Sequence, residues 1–278
     1  MDSEKRPKRA LVLEGGGLRG AFTAGVMSAF YEQGIGYGFF DYYIGSSAGA
    51  WSIAYFLTEQ IEEGLRIWKD HLHSKLFGWR LGKPNISLDH LEWVARDKEP
   101  LDIRILPKRN VQAFAVLSDI ETGLAHYENI CRAPDPVAVL KAAVAMPFLA
   151  KPVTLYGHRY CDGGMTDAVP VCQAEKAGAK EIWVVTPLPK GFRRNVILWK
   201  WILRFASFDP KLRKLFITRP EQENLIREEI EKRDDLVVIR PDFQLPVSWM
   251  RGDREAVEAS IEAGRNIGFG VLKEKKLI

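Results

Sequence analysis

The chain has 278 residues, 46% of them hydrophobic and 27% charged, enough for one sizeable core and for little more. A formal net charge of +4 is too mild for a nucleic-acid binder when no recognition motif accompanies it, so no nucleic-acid partner is expected. Three cysteines, Cys131, Cys161 and Cys172, form no C-x-x-C pair and leave one over, which argues against a disulfide framework or a metal site and fits a reducing, cytoplasmic setting.

The first nine residues, Met1 to Arg9, lack the apolar stretch of a secretory signal, and secretion by that route is not expected. Arg9 to Leu13 reads as a short buried strand that ends at Glu14-Gly15-Gly16-Gly17-Leu18-Arg19-Gly20, ahead of a helical pattern from Ala21 to Gln33. Strand, glycine turn and helix make an anion site, because backbone amides without side chains, at the positive end of a helix, can point at a phosphate or an oxyanion. Gly15, Gly17 and Gly20 also satisfy G-x-G-x-x-G, which keeps a nucleotide- or phosphate-binding module as a rival. That fingerprint wants an acid at the end of the second strand, whereas Asp41 stands before it.

A second apolar strand, from Tyr42, stops at Gly45-Ser46-Ser47-Ala48-Gly49 and runs on as an apolar helix to Leu57. Gly45, Ser47 and Gly49 fit G-x-S-x-G, a pattern that sets a serine on a tight strand-to-helix turn. Ser47 is the candidate nucleophile. The 17 uncharged residues between Asp41 and Glu59 approach the length of a membrane span, but the glycines and serines among them favour a buried strand, turn and helix.

From Glu59 to Glu99 the pattern is amphipathic and helical, with Ile61, Leu65, Trp68 and Leu72 on one face. His71 and His73 are two apart and point to different faces, the wrong spacing for a helical metal pair. Val111 to Leu117 is another buried strand, and Asp119 and Glu121 in the turn after it read as turn formers ahead of catalytic acids. A helix from Pro136 to Met146 follows, and then Gly157 to Gly164, which carries Asp162 at a glycine turn after a short hairpin.

Gly15-Gly16-Gly17-Leu18-Arg19-Gly20, Gly45-Ser46-Ser47-Ala48-Gly49 and Asp162-Gly163-Gly164, in that order, resemble the patatin-like phospholipases, a family of lipid acyl hydrolases with a Ser-Asp dyad. The resemblance covers roughly residues 9 to 190. It implies that Ser47 attacks an ester carbonyl, that Asp162 is its base without an intervening histidine, and that Gly15, Gly16 and Gly17 hold the oxyanion while Arg19 fixes their loop. Gly163 and Gly164 support the aspartate turn, no cofactor is implied, and the substrate would be a phospholipid or lysophospholipid. The chain departs from the family at Thr166-Asp167-Ala168, where asparagine is common, and this leaves Asp167 as a second carboxylate nearby. A Ser-His-Asp triad would have to use His158, the histidine nearest Asp162 in sequence.

Beyond this, a helix is expected from Val169 to Ala177, strands at Glu181–Thr186 and Leu236–Arg240, and a closing helix from Arg254 to Lys276. The β-α alternation predicts one three-layer α/β domain over 1–278, with a mostly parallel sheet, helices on both faces and a C-terminal extension over 190–278. Between Lys190 and Arg219 stand nine Lys or Arg against one acid, Asp209, interleaved with aromatics. Arg193, Lys200 and Arg204 share a helical face there, and with Trp199 and Trp201 they suggest contact with an anionic membrane surface.

Overall fold

The computed structural model describes residues 6–72, 77–80, 83–197 and 210–278. Its centre is an eight-stranded sheet built from β1 (Arg9–Leu13), β2 (Tyr42–Ser46), β5 (Gln112–Asp119), β6 (Ala125–Asn129), β7 (Val153–Leu155), β8 (His158–Asp162), β9 (Glu181–Val185) and β10 (Leu236–Ile239). The order is β10-β9-β1-β2-β5-β8-β7, with β6 also paired to β5. The run from β10 to β5 is parallel, and β6, β7 and β8 join antiparallel.

Strand side chains alternate between two faces, and here both faces are buried. Leu11 and Leu13 enter one core with Phe22 and Phe30 of α1 (Gly20–Glu32), Ile53 of α2 (Ala48–Leu57), Leu65 of α3 (Ile61–Arg66) and Leu140 of α5 (Pro136–Ala143). Ala10 and Val12 enter a second core with Val171 and Ala174 of α6 (Val171–Lys176). Burial on both sides explains why β1, β2 and β9 read as continuous apolar runs, and it yields the expected three-layer α/β architecture.

The C-terminal residues are woven into this frame. Strand β10 extends the sheet beside β9. Helix α7 (Pro210–Glu231) gives Leu215 and Phe216 to the first core and Ile230 to the second. Helix α8 (Arg254–Glu274) packs along α1, and its start is capped by the Asp253 carboxylate, which accepts the Ala256 amide at 2.8 Å.

Over Glu59–Glu99, where the sequence suggests an amphipathic helix and then a loop at Ile86–His90 entering another helix, the first helix ends earlier than expected and the second starts at Leu88. Helix α3 passes into a π-helical turn at Ile67–Leu72, a hairpin of β3 (Phe77–Arg80) and β4 (Lys83–Ile86) follows, and the chain resumes with α4 (Leu88–Trp93). Gly78 and Pro84 weaken any helix in between, while Phe77 and Trp79 favour strand. The uncharged run before Glu59 is β2 and α2, buried almost throughout, and no described helix is long and apolar enough to cross a membrane.

Candidate active site

The parallel register of β1 and β2 pairs Leu13 with Gly45. Two residues further along each chain, Gly15 therefore meets Ser47, so closely that a Cβ on Gly15 would stand 2.6 Å from the Ser47 Cβ. Only a residue without a side chain permits that approach. Ser47 itself sits at φ 52°, ψ −125°, a strained conformation for a non-glycine residue, on the turn between β2 and α2. The turn lifts its hydroxyl off the sheet edge and leaves the N-terminus of α2 beneath it.

Asp162 arrives from the other side of the sheet. β5 lies between β2 and β8, with Ser46 opposite Val116 and Leu117 opposite Asp162, so the end of β8 is carried to the end of β2. Ser47 Oγ donates to Asp162 Oδ2 at 2.7 Å, and the Gly164 amide donates to Asp162 Oδ1 at 2.8 Å. The carboxyl group is buried. Burial pushes its pKa above the ordinary aspartate value, against the opposing pull of Arg219, the Ser47 hydroxyl and the Gly164 amide.

The glycine loop lies alongside. The Glu14 amide is taken by Val185 O and the Leu18 amide by Trp249 O, both at 3.0 Å, while the amides of Gly15, Gly16 and Gly17 meet no protein acceptor among the described residues. Gly17 has φ +58°, and a Cβ there would run into the Trp249 carbonyl and indole. Arg19 Nε reaches back to Gly16 O at 3.4 Å, and burial holds the Arg19 pKa down at about 10. Three amide donors that meet no acceptor among the described residues, beside a hydroxyl and its carboxylate, can hold an oxyanion.

Two cavities share this point. The larger is apolar, partly open to solvent, and lined by Ala24, Met27, Trp51, Tyr55, Leu65 and Trp68 among others. The smaller is polar and bounded by Glu14, Arg194, Arg219 and Glu223. Ser47, Asp162 and Trp249 border both.

Residues 11–174 match the family described as patatin-like phospholipase. The chain belongs to that family. It is 32% identical over 197 residues to the uncharacterized protein YjjU of Escherichia coli strain K12, an alignment covering 65% of this chain and about half, 52%, of the relative's length. The crystal structure of VipD from Legionella pneumophila superposes with a TM-score of 0.60 at 12% identity, over 97% of this chain and 67% of that one, a likeness of fold.

Within this member of the family, the structure brings together Ser47, Asp162, Gly15, Gly16, Gly17 and Arg19. Gly45 is the next-to-last residue of β2, Gly49 stands in the first turn of α2 against the Leu13 backbone, and Gly163 and Gly164 form the turn under Asp162. His158 stays apart: its ring is 3.8 Å from Asp119 and largely exposed, so the triad alternative has no geometry. Asp119 caps its own turn by accepting the amides of Glu121 and Thr122, and Asp167 accepts the Tyr127 hydroxyl at 2.7 Å. Asp41, the acid a nucleotide site would need, lies at the opposite end of β2, where it binds the Arg9 amide. Among the described residues no group of three His, Cys, Asp or Glu is placed to hold a metal ion.

Arg193, placed on a cationic face by the sequence, has its guanidinium paired with Glu231 at 2.8 Å and 34% of its side chain exposed. Arg194 turns inward to Glu223, and Phe216 is buried. Trp199, Lys200, Trp201 and Arg204 lie outside the described residues.

Sequence reasoning missed the ring of charges behind Ser47 and Asp162. Arg219, Glu223 and Arg227 recur every four residues on α7, and all three are buried with Glu14 and Arg194 around them. Burial would push Glu223 up; Arg194, Arg219 and Arg227 outweigh it and hold the carboxyl down. Trp249, which walls both cavities, was equally silent in the sequence.

Proposed function

We propose that the protein is a serine lipid acyl hydrolase that cleaves carboxylic esters of phospholipids or lysophospholipids through a Ser47–Asp162 dyad and an acyl-enzyme. The observation that carries the reading is the 2.7 Å hydrogen bond from Ser47 Oγ to Asp162 Oδ2 at the mouth of an apolar cavity. In the first half-reaction Asp162 takes the Ser47 hydroxyl proton as Oγ bonds to the ester carbonyl carbon, and the amides of Gly15, Gly16 and Gly17 receive the developing oxyanion. Collapse breaks the bond to the alcohol, which leaves with the proton from Asp162. Water then attacks the acyl-enzyme, gives its proton to Asp162, and the carboxylic acid departs as Ser47 Oγ is reprotonated.

A buried aspartate suits the task, since a carboxylate lifted from its ordinary pKa is a stronger base than a solvated one. The apolar cavity, walled by α1, α2 and α3, offers an acyl chain a place that a polar substrate would not fill. Docking on an anionic membrane through Trp199, Lys200, Trp201 and Arg204 would bring the enzyme to a bilayer substrate. The test is labelling by a fluorophosphonate probe together with fatty-acid release from phospholipid vesicles. Wild type should show both, and Ser47→Ala neither.

A further inference from the structure

Asp162 is closed off from water, and a carboxylate so placed depends on its surroundings to stay charged. Its two hydrogen-bond donors, the Ser47 hydroxyl and the Gly164 amide, are neutral. The cation beside it is Arg219, brought in by α7 from outside the family-matched residues 11–174. Asp162 Oδ1 and Arg219 Nη2 lie 3.1 and 3.6 Å from the position a Gly164 Cβ would occupy, which bounds their separation at about 7 Å. Both also line the polar cavity behind Ser47.

The surroundings of Arg219 are charged as well. Behind the dyad, Arg194, Arg219 and Arg227 face Glu14 and Glu223: Glu223 lies 3.0 Å from Arg227 and 3.7 Å from Arg219, and it also pairs with Arg194, while Glu14 pairs with Arg227. Arg219 thus stands between Glu223 on one side and Asp162 on the other. Met146 and Met165 sulfurs lie 3.9 and 3.7 Å from Arg219 Nη1 as weak acceptors, and burial pushes the adjacent Cys161 thiol up, which keeps it neutral. On β5, Asp119 is turned to its own loop.

We propose that Arg219 is a positioning residue of the Ser47–Asp162 pair: its buried guanidinium keeps the Asp162 side chain a carboxylate with Oδ2 aimed at Ser47, and so sets how acid a medium the reaction tolerates. The assignment rests on the dyad reading above. Burial and Arg219 act on Asp162 in opposite directions, and removing the cation leaves burial unopposed. At the bounding distance, and with the effective dielectric typical of protein sites, loss of the charge moves the aspartate by about one to two pH units.

The experiment measures kcat and KM for a soluble short-chain ester between about pH 5 and 10 in wild type, Arg219→Met and Arg219→Lys. Arg219→Met should move the acid limb of the profile about one to two units to higher pH, lower kcat about 10- to 100-fold near neutrality, recover most of it by about pH 9, and leave KM within about threefold. Arg219→Lys should keep the acid limb close to that of wild type. An Arg219→Met profile that superposes on wild type, or a loss equal at every pH, overturns the assignment. Should Arg219→Met fail to fold, carbon-13 NMR of the wild-type Asp162 carboxyl, assigned against Asp162→Asn, decides instead: ionised near neutrality supports the role, protonated refutes it. A wild type that hydrolyses no ester and takes no probe at Ser47 defeats the dyad reading itself, and this assignment with it, whatever Arg219 does.

Discussion

Gly15 and Ser47 stand across two neighbouring parallel strands with no room between them: a Cβ on Gly15 would lie 2.6 Å from the Ser47 Cβ and 2.9 Å from Ser46 O. The glycine loop and Ser47 are thus fixed to one another by strand register. Gly15→Ala must push the loop away from the serine or bend the end of β2. The expected result is a fall in kcat of at least about 100-fold, as for the loss of an oxyanion donor, with a lower melting temperature. Steady-state kinetics beside a thermal melt checks this, and near-normal kcat would mean that the loop does not serve the reaction.

Asp162 carries a pH signature. Burial raises its folded-state pKa, so the stability linked to this group is complete below the unfolded value, about 3.9, and is lost as pH rises through the folded one. Asp162→Asn removes that loss. The variant should melt higher than wild type at pH 7 to 8, the gap should close on acidification, and ester hydrolysis should drop by at least about a thousandfold. Melting curves across pH provide the measurement; an asparagine variant less stable than wild type at the alkaline end would contradict it.

The apolar cavity gives a prediction about chain length. Ala24 of α1 lines it, and a phenylalanine there would occupy the space assigned to the acyl chain. Ala24→Phe should lower kcat/KM on long-chain esters by at least about tenfold while changing that on an acetyl ester by less than about threefold, since a few buried methylenes are each worth a fraction of a kcal/mol or more. Equal losses on both esters would place the acyl chain elsewhere.

Membrane docking is tested by charge reversal. Lys200→Glu with Arg204→Glu should weaken sedimentation with anionic vesicles, more strongly at low salt, and leave hydrolysis of a soluble short-chain ester within about twofold of wild type. Unchanged vesicle binding would remove these two residues from the interface.

What the sequence disclosed and what it hid divide along physical lines. β1 and β2 were legible because strands buried on both faces are uniformly apolar and because a strand-to-helix turn this tight requires glycine. The Ser47 turn and the Asp162 turn announced themselves for the same reason. Arg219, Glu223 and Arg227 did not, since charges four residues apart on a helix read alike whether water or a protein interior receives them; only the packing of α7 against Glu14 and Arg194 distinguishes the two. Trp249 was hidden because it comes from a loop far along the chain whose carbonyl, not its residue type, ties the glycine loop at Leu18. The β3–β4 hairpin was masked by apolar spacing on either side of it that suits a helix.

The most direct test of the account is active-site labelling. Wild type, Ser47→Ala and Asp162→Asn are incubated with a fluorophosphonate probe, and the modified peptide is located by mass spectrometry. The account predicts one adduct on Ser47 in wild type, none in Ser47→Ala, and labelling slowed by at least about a hundredfold in Asp162→Asn. Labelling of Asp162→Asn at the wild-type rate, or an adduct on another residue, would contradict it.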